Sequence, residues 1–247
     1  MNFIIETPNL NYVTYSTDQV IRFSILFSGI GIAICLGLYS LVKEKKKLAW
    51  GITFVNSLIT SMFSAYYIYM KRTEIINYFY TGVGLKSLLI SVNDYSVLCC
   101  IWFAVMNMYD LLFGILFYYK YLGVFTAFIH HPFYVWVMIS SISGNIGFIK
   151  IAPFSTGLLF FLIEEIPTFI MSLGTFFPRF KTHLGYGVSF FLLRVCYHTY
   201  LVYLVFLFKD QLEVEVAHVL FPVMPLVMHL VWFKEWVDKY GQKAITF

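Results

Sequence analysis

The sequence predicts an all-α integral membrane protein with about seven transmembrane helices, and three observations carry that prediction. Hydrophobic residues fill 60% of the 247 positions and charged residues 12%, against roughly 45–50% and about 25% in soluble domains. Mean hydropathy is +0.77. Apolar runs of a length able to cross a hydrocarbon core of about 30 Å recur along the chain, most of them closed by Lys, Arg or Trp. The same numbers exclude other classes. A net charge of +4, scattered over segment ends, offers no footprint for nucleic acid. Cys35, Cys99, Cys100 and Cys196 all fall within apolar runs without metal-site spacing, so reduced packing residues are expected.

The elements follow in order. Residues 1–19 form a polar leader with no cleavable signal pattern. A first span over Val20–Val42 ends on Lys43, Lys45, Lys46 and Lys47, and a second over Leu48–Met70 ends on Lys71 and Arg72. Between Thr73 and Tyr95, Gly82, Gly84 and Lys86 interrupt the apolar pattern, so an interfacial or re-entrant piece is expected. Spans three and four, Ser96–Tyr118 and Tyr121–Ile142, make a hairpin before a turn at Gly144-Asn145. Ile146–Phe177 is long for one crossing and short for two. It reads as one span from about Pro153, kinked by Pro167, with two half-length helices as the alternative. Spans six and seven cover Leu184–Phe208 and Val214–Trp232, and Trp232 and Trp236 anchor a charged tail.

Seven crossings place the two termini on opposite sides. The C-terminal face then carries ten Lys and Arg against five on the other, which predicts a cytoplasmic tail. The domain plan is a leader (1–19), a first helix with its basic loop (20–47), a six-helix membrane domain (48–234) and a tail (235–247).

Polar residues recur at one depth. Asp110 lies ten residues before the turn at Lys120 and His130 ten after it. In an antiparallel hairpin equal counts mean equal depth, here roughly 15 Å at about 1.5 Å per residue, near the bilayer centre. Ionisable groups there are costly and mark functional sites by default. Glu164 and Glu165 precede the basic turn near Phe180 by about as many residues as Arg194 follows it. Arg194 keeps its charge, so one of the two glutamates is its expected counter-ion. Asn107 and Asp110 share one face of span three, and His130 and Tyr134 share a face of span four with Thr126. His198 follows Arg194 by one turn.

Such a cluster serves equally as glue between helices, although two adjacent histidines are expensive for glue alone. His198 and His229 read most simply as satisfied packing residues, His183 as a loop residue, and Pro222 and Pro225 as kinks. No His-x-x-His or His-x-x-x-His occurs, so no metal or other cofactor is expected.

The step Tyr109-Asp110, the apolar run after it, the His130-His131 pair and Glu165-x-Pro167 together resemble the TLC domain. This membrane domain is shared by ceramide synthases, TRAM translocon proteins and TLC-domain lipid regulators. The resemblance covers roughly Leu48 to Lys234, with order and spacing agreeing best over Tyr109–Thr168. It implies a six-helix membrane barrel around a lipid or acyl cavity, here preceded by one extra helix. In ceramide synthases the paired histidines and a downstream His-Asp-x-x-Asp transfer an acyl chain from acyl-CoA to a sphingoid base. Here the pair is present, and Asn145 matches a downstream asparagine. Glu164-Glu165-Ile166-Pro167-Thr168 stands where His-Asp-x-x-Asp would be, as in the non-synthase branch.

The expected function is therefore binding of a membrane lipid or long-chain acyl group in lipid homeostasis, in an endomembrane or the plasma membrane. His130, His131 and Asp110 are the expected reactive centre. Asn107, Tyr109, Tyr134, Glu164, Glu165, Arg194 and His198 are the expected binding residues. A ceramide-synthase-like N-acyltransferase with acyl-CoA as co-substrate is one alternative, and a non-catalytic interaction protein is another. A homodimer is an open assembly.

Overall fold

The computed structural model describes residues 17–123, 125–146, 149–150, 153–181, 183–207, 209 and 216–245. The expected leader (1–19) and the first residues of the seventh expected span fall largely outside them. The helices are α1 (Thr17–Leu41), α2 (Lys45–Met70), α3 (Arg72–Thr81), α4 (Leu85–Leu89), α5 (Asp94–Phe117), α6 (His131–Ser143), α7 (Ser155–Leu162), α8 (Glu165–Phe176), α9 (His183–Phe190), α10 (His198–Leu207) and α11 (Val216–Ile245). A π-helical turn, Thr126–His130, leads into α6, and a second, Phe191–Tyr197, joins α9 to α10. Among the described residues, five helices are long and apolar enough to cross a membrane, and six if the bent pair α7–α8 counts as one. The chain is thus a multi-pass integral membrane protein by helix length and composition.

Helix α5 is the central one, packing against α1, α2, α6 and α7. Asn93 starts it with a reciprocal cap: its side chain accepts from the Ser96 amide at 2.8 Å, and the Ser96 hydroxyl accepts from the Asn93 amide at 3.1 Å. Two orphan donors are satisfied where an apolar environment would penalise them. Along α5, Val97, Cys99, Cys100, Phe103 and Met106 are buried. Helix α1 lies at the periphery, against α5 and α2, with few of its residues buried.

Lipid tails are as apolar as leucine, so helices in a membrane associate through close packing and shared hydrogen bonds. Helix α2 follows that rule. Its buried face is Asn56, Ser57, Thr60, Ser61 and Ser64 at helical spacing, and Ser64 donates to the Leu159 carbonyl of α7. Ser96 and Ser155 hydroxyls meet at 2.7 Å across α5 and α7, and Ser91 meets Thr156 at 2.9 Å. Gly157 lets α7 come close to the backbone of α4: a Cβ there would stand 2.6 Å from the Leu89 carbonyl oxygen.

Several sequence expectations gain detail. The piece between spans two and three is α3 and α4. Helix α3 buries no side chain and leaves Ile76, Phe79 and Tyr80 exposed, while α4 buries Leu85, Leu88 and Leu89. Gly144 ends α6 at φ +64°, followed by a two-residue antiparallel ladder of Asn145–Ile146 with Ile149–Lys150. The fifth stretch is two helices bent by 44° at Ile163-Glu164. Pro167 explains the place of the bend: it has no N–H for the Ile163 carbonyl, and its ring crowds that carbonyl. Cys35, Cys99 and Cys100 are buried free thiols, whereas Cys196 is exposed rather than packed. His183 opens α9 and stacks on Tyr240 at 4.5 Å instead of lying in a loop. Helix α11 runs on to Ile245, past the tail boundary expected at residue 235.

Candidate functional site

A cavity of about 490 Å³ lies among α2, α5, α8, α9 and α11 and the turn before α6. Its polar lining includes Asn107, Asp110, His130, His131, Glu165 and Arg194, so six of the ten expected residues face one space. Ile52, Phe103, Ala127, Met171, Phe190 and Trp232 supply apolar wall.

On one side of the cavity, α5 and the π turn bring Asp110 and His131 together, with His131 Nε2 at 3.7 Å from Asp110 Oδ2. The Tyr118 hydroxyl donates to Asp110 Oδ1 at 2.6 Å and Thr53 donates to Oδ2 at 3.2 Å. Gly114 lets the chain after α5 fold back, since a Cβ there would come 2.5 Å from the Leu122 side chain. Equal-depth counting aligned His130 with Asp110, but the residue that meets it is His131. The π turn, which ends on His130, inserts extra chain before His131 and displaces the count. His130 instead lies 4.5 Å from the Tyr134 ring and 5.3 Å from the Trp232 ring. Both histidines are buried, and the Nδ1 of each has no hydrogen-bonding partner among the described residues.

On the other side, Arg194 is buried and makes three hydrogen bonds. It donates to the Glu164 backbone carbonyl at 2.8 Å, to Glu165 Oε1 at 3.0 Å and to Thr168 Oγ1 at 2.6 Å. Glu165 is therefore its counter-ion. The Glu164 carboxyl turns away to His198, whose Nδ1 stands 2.7 Å from Oε2. His198 Nε2 donates to the Pro222 carbonyl at 2.8 Å. His229 Nδ1 faces the same Glu164 oxygen at 3.5 Å. Glu165 and Arg194 form the wall between the large cavity and a small one of about 20 Å³ beside Glu164, His229 and Tyr134.

The remaining expected residues sort as follows. Asn107 lines the cavity and donates back to the Phe103 carbonyl of its own helix at 2.7 Å. Tyr134 and Glu164 border the small cavity, and His198 lines neither. Tyr109 packs on the opposite face of α5, where a Cβ on Gly31 of α1 would come within 2.8 Å of its ring. It is not among the residues that line the cavity. Sequence reasoning missed Thr53, Tyr118 and Thr168 as partners of the charged groups. Trp232 and Trp236, expected as interfacial anchors, line the cavity together with Lys239 and Tyr240. The signal lay in their helical spacing to His229, which sets His229, Trp232 and Trp236 on one face.

Chemically, the site joins an apolar chamber, one guanidinium already neutralised, and two imidazoles with unengaged nitrogen beside a carboxyl group. Comparison with protein-family models, with curated proteins and with solved structures finds no match for this chain.

Proposed function

We propose that this protein is a TLC-type membrane protein that binds a lipid or long-chain acyl group and acts in membrane lipid homeostasis. The observation that carries the proposal is the cavity itself. Its volume of about 490 Å³ falls in the range of about 300–1,000 Å³ typical of small-molecule sites. Apolar and aromatic side chains make up most of its wall, and Asp110, His130, His131, Glu165 and Arg194 face the same space. The chain of the ligand lies along Ile52, Phe103 and Met171, and its head group or carbonyl meets His130 and His131. In this reading the C-terminus is cytoplasmic, seven helices cross an endomembrane or the plasma membrane, and six of them enclose the cavity.

Native mass spectrometry with lipid extraction tests this on gently purified protein and on a His130→Ala/His131→Ala variant. Bound, unmodified lipid on the wild type that falls in the variant is the expected outcome. A correctly folded wild type carrying no lipid would overturn the reading.

One observation favours a second reading, acyl transfer from acyl-CoA. An imidazole set against a carboxyl group is the arrangement of an oriented base or acyl acceptor, and His131 has Asp110 at 3.7 Å. The same spectra separate the two readings. An acyl-mass adduct on the wild type, absent from the variant, indicates covalent chemistry.

A further inference from the structure

We infer that Glu164, His198 and His229 form a divalent-cation site, best suited to zinc, that ties the α7–α8 bend to α10 and α11. It lies outside the large cavity and does not depend on the lipid reading.

The argument begins with a proton count. A backbone carbonyl only accepts, so the nitrogen that meets it must donate. At 2.8 Å from the Pro222 carbonyl, His198 Nε2 therefore carries hydrogen. In a neutral imidazole that leaves Nδ1 with a lone pair, and Nδ1 points at Glu164 Oε2 from 2.7 Å. Two acceptors face each other at that distance only with something positive between them, a proton or a metal ion. His229 Nδ1 faces the same oxygen at 3.5 Å, and the three candidate ligand atoms lie within 4.8 Å of one another.

The surroundings distinguish a metal from a proton. A proton shared by Glu164 and His198 serves that pair alone. It leaves Glu164 Oε1 and His229 Nδ1 buried with no hydrogen-bonding partner among the described residues. Each such group carries a desolvation cost. A cation engages both histidines and the carboxylate at once. Arg194 does not fill that role, because it is spent on Glu165, Thr168 and the Glu164 backbone rather than on the Glu164 carboxyl group. Two carboxylates against one guanidinium leave a negative charge over at this level, and a divalent ion offsets it.

The second shell and the space agree. Metal-ligating histidines usually donate their other N–H to a carbonyl or carboxylate that fixes the ring, as His198 does to Pro222. Two nitrogens and one carboxylate are a donor set that zinc takes in sites with an open fourth position. The cavity of about 20 Å³ bordered by Glu164 and His229 has room for that ligand, a single water. Ligands at about 2.0–2.1 Å from a tetrahedral ion stand about 3.3 Å apart, so loading widens the Glu164–His198 contact and shortens the others.

The test is metal analysis of the full chain, purified in detergent without chelator or a polyhistidine tag. One zinc per chain is expected, retained in Cys196→Ser, which removes the exposed thiol, and reduced at least about tenfold in His229→Gln. Cobalt loading of the wild type is expected to give the ligand-field absorption of a tetrahedral nitrogen–oxygen site, abolished by excess zinc. That second readout needs no variant, so it decides the matter should His229→Gln fail to fold. Folded wild type with neither stoichiometric zinc nor a cobalt spectrum would overturn the site in favour of a shared proton. Zinc retained unchanged in folded His229→Gln would do the same.

Discussion

The two polar groups flanking the cavity differ in how completely their hydrogen bonds are made. Around Arg194 the guanidinium has three partners at 2.6–3.0 Å, on α8 and the bend that leads into it. Around His130 and His131 the closest ionic approach is 3.7 Å, and two buried ring nitrogens have no partner among the described residues. Inside a membrane protein a buried polar group either finds protein partners or faces something else that satisfies it. The tight group holds helices in place; the loose group, lining the larger space, is where a ligand has hydrogen bonds to gain.

That contrast is open to attack by mutation. The largest effect is expected from Arg194→Met, which strands the Glu165 carboxylate and the Glu164 carbonyl. Breaking a buried pair from one side costs about 3–5 kcal/mol. The check is a large fall in thermal midpoint in detergent, or loss of monodisperse protein, even with lipid added. A midpoint close to wild type would erase the distinction between the groups.

Gly157→Ala acts next, away from both groups. Its Cβ meets the Leu89 carbonyl at 2.6 Å, and overpacking of this kind costs about 1–3 kcal/mol. Denaturation should report the loss while lipid retained per folded molecule stays constant. Tyr118→Phe removes the 2.6 Å hydrogen bond to Asp110 at a cost of about 1–2 kcal/mol. It frees Asp110 to move, so lipid retention should shift with it.

His131→Gln should reverse the pattern of Arg194→Met. Stability is expected to change by less than about 1 kcal/mol, with lipid retention falling about tenfold as for one lost hydrogen bond to a charged group. If stability collapses instead, the histidine side is glue after all.

The smallest effect is expected at Glu74→Gln on α3. Lys71, 2.9 Å away, holds the Glu74 carboxyl below its ordinary range. The contribution of this pair is therefore present at neutral pH and is lost as the pH falls through the lowered Glu74 value. Both groups are well exposed, so the midpoint should stay within error.

Much of the helix plan was legible because hydropathy and its closing residues report spans directly. Lys43–Lys47, Lys71 and Gly144 all fall at or next to helix ends. The site was legible in part, since depth counting across a short turn is reliable to about one residue. It brought Asp110 to the histidine pair, although the count fell on His130 and the residue beside Asp110 is His131. The division of labour between Glu164 and Glu165 was not legible. Neighbouring residues on a helix point about 100° apart, and the bend at Ile163-Glu164 decides which one meets Arg194. His229 was harder still, because it lies 65 positions beyond Glu164 in the sequence, with no short spacing to give it away.

The two π turns, Thr126–His130 and Phe191–Tyr197, immediately precede His131 and His198. A π turn holds one residue more than the α-helical path it replaces. The aim of both histidines is thus written into chain length as much as into residue type. A single-codon deletion in either turn would leave hydropathy, charge and every side chain of the polar groups almost untouched. It would nevertheless rotate the segment before the turn against the helix after it by about 100°, and with it the face each histidine presents. Insertions and deletions, rather than point changes, are the alterations to which this membrane interior is most finely exposed.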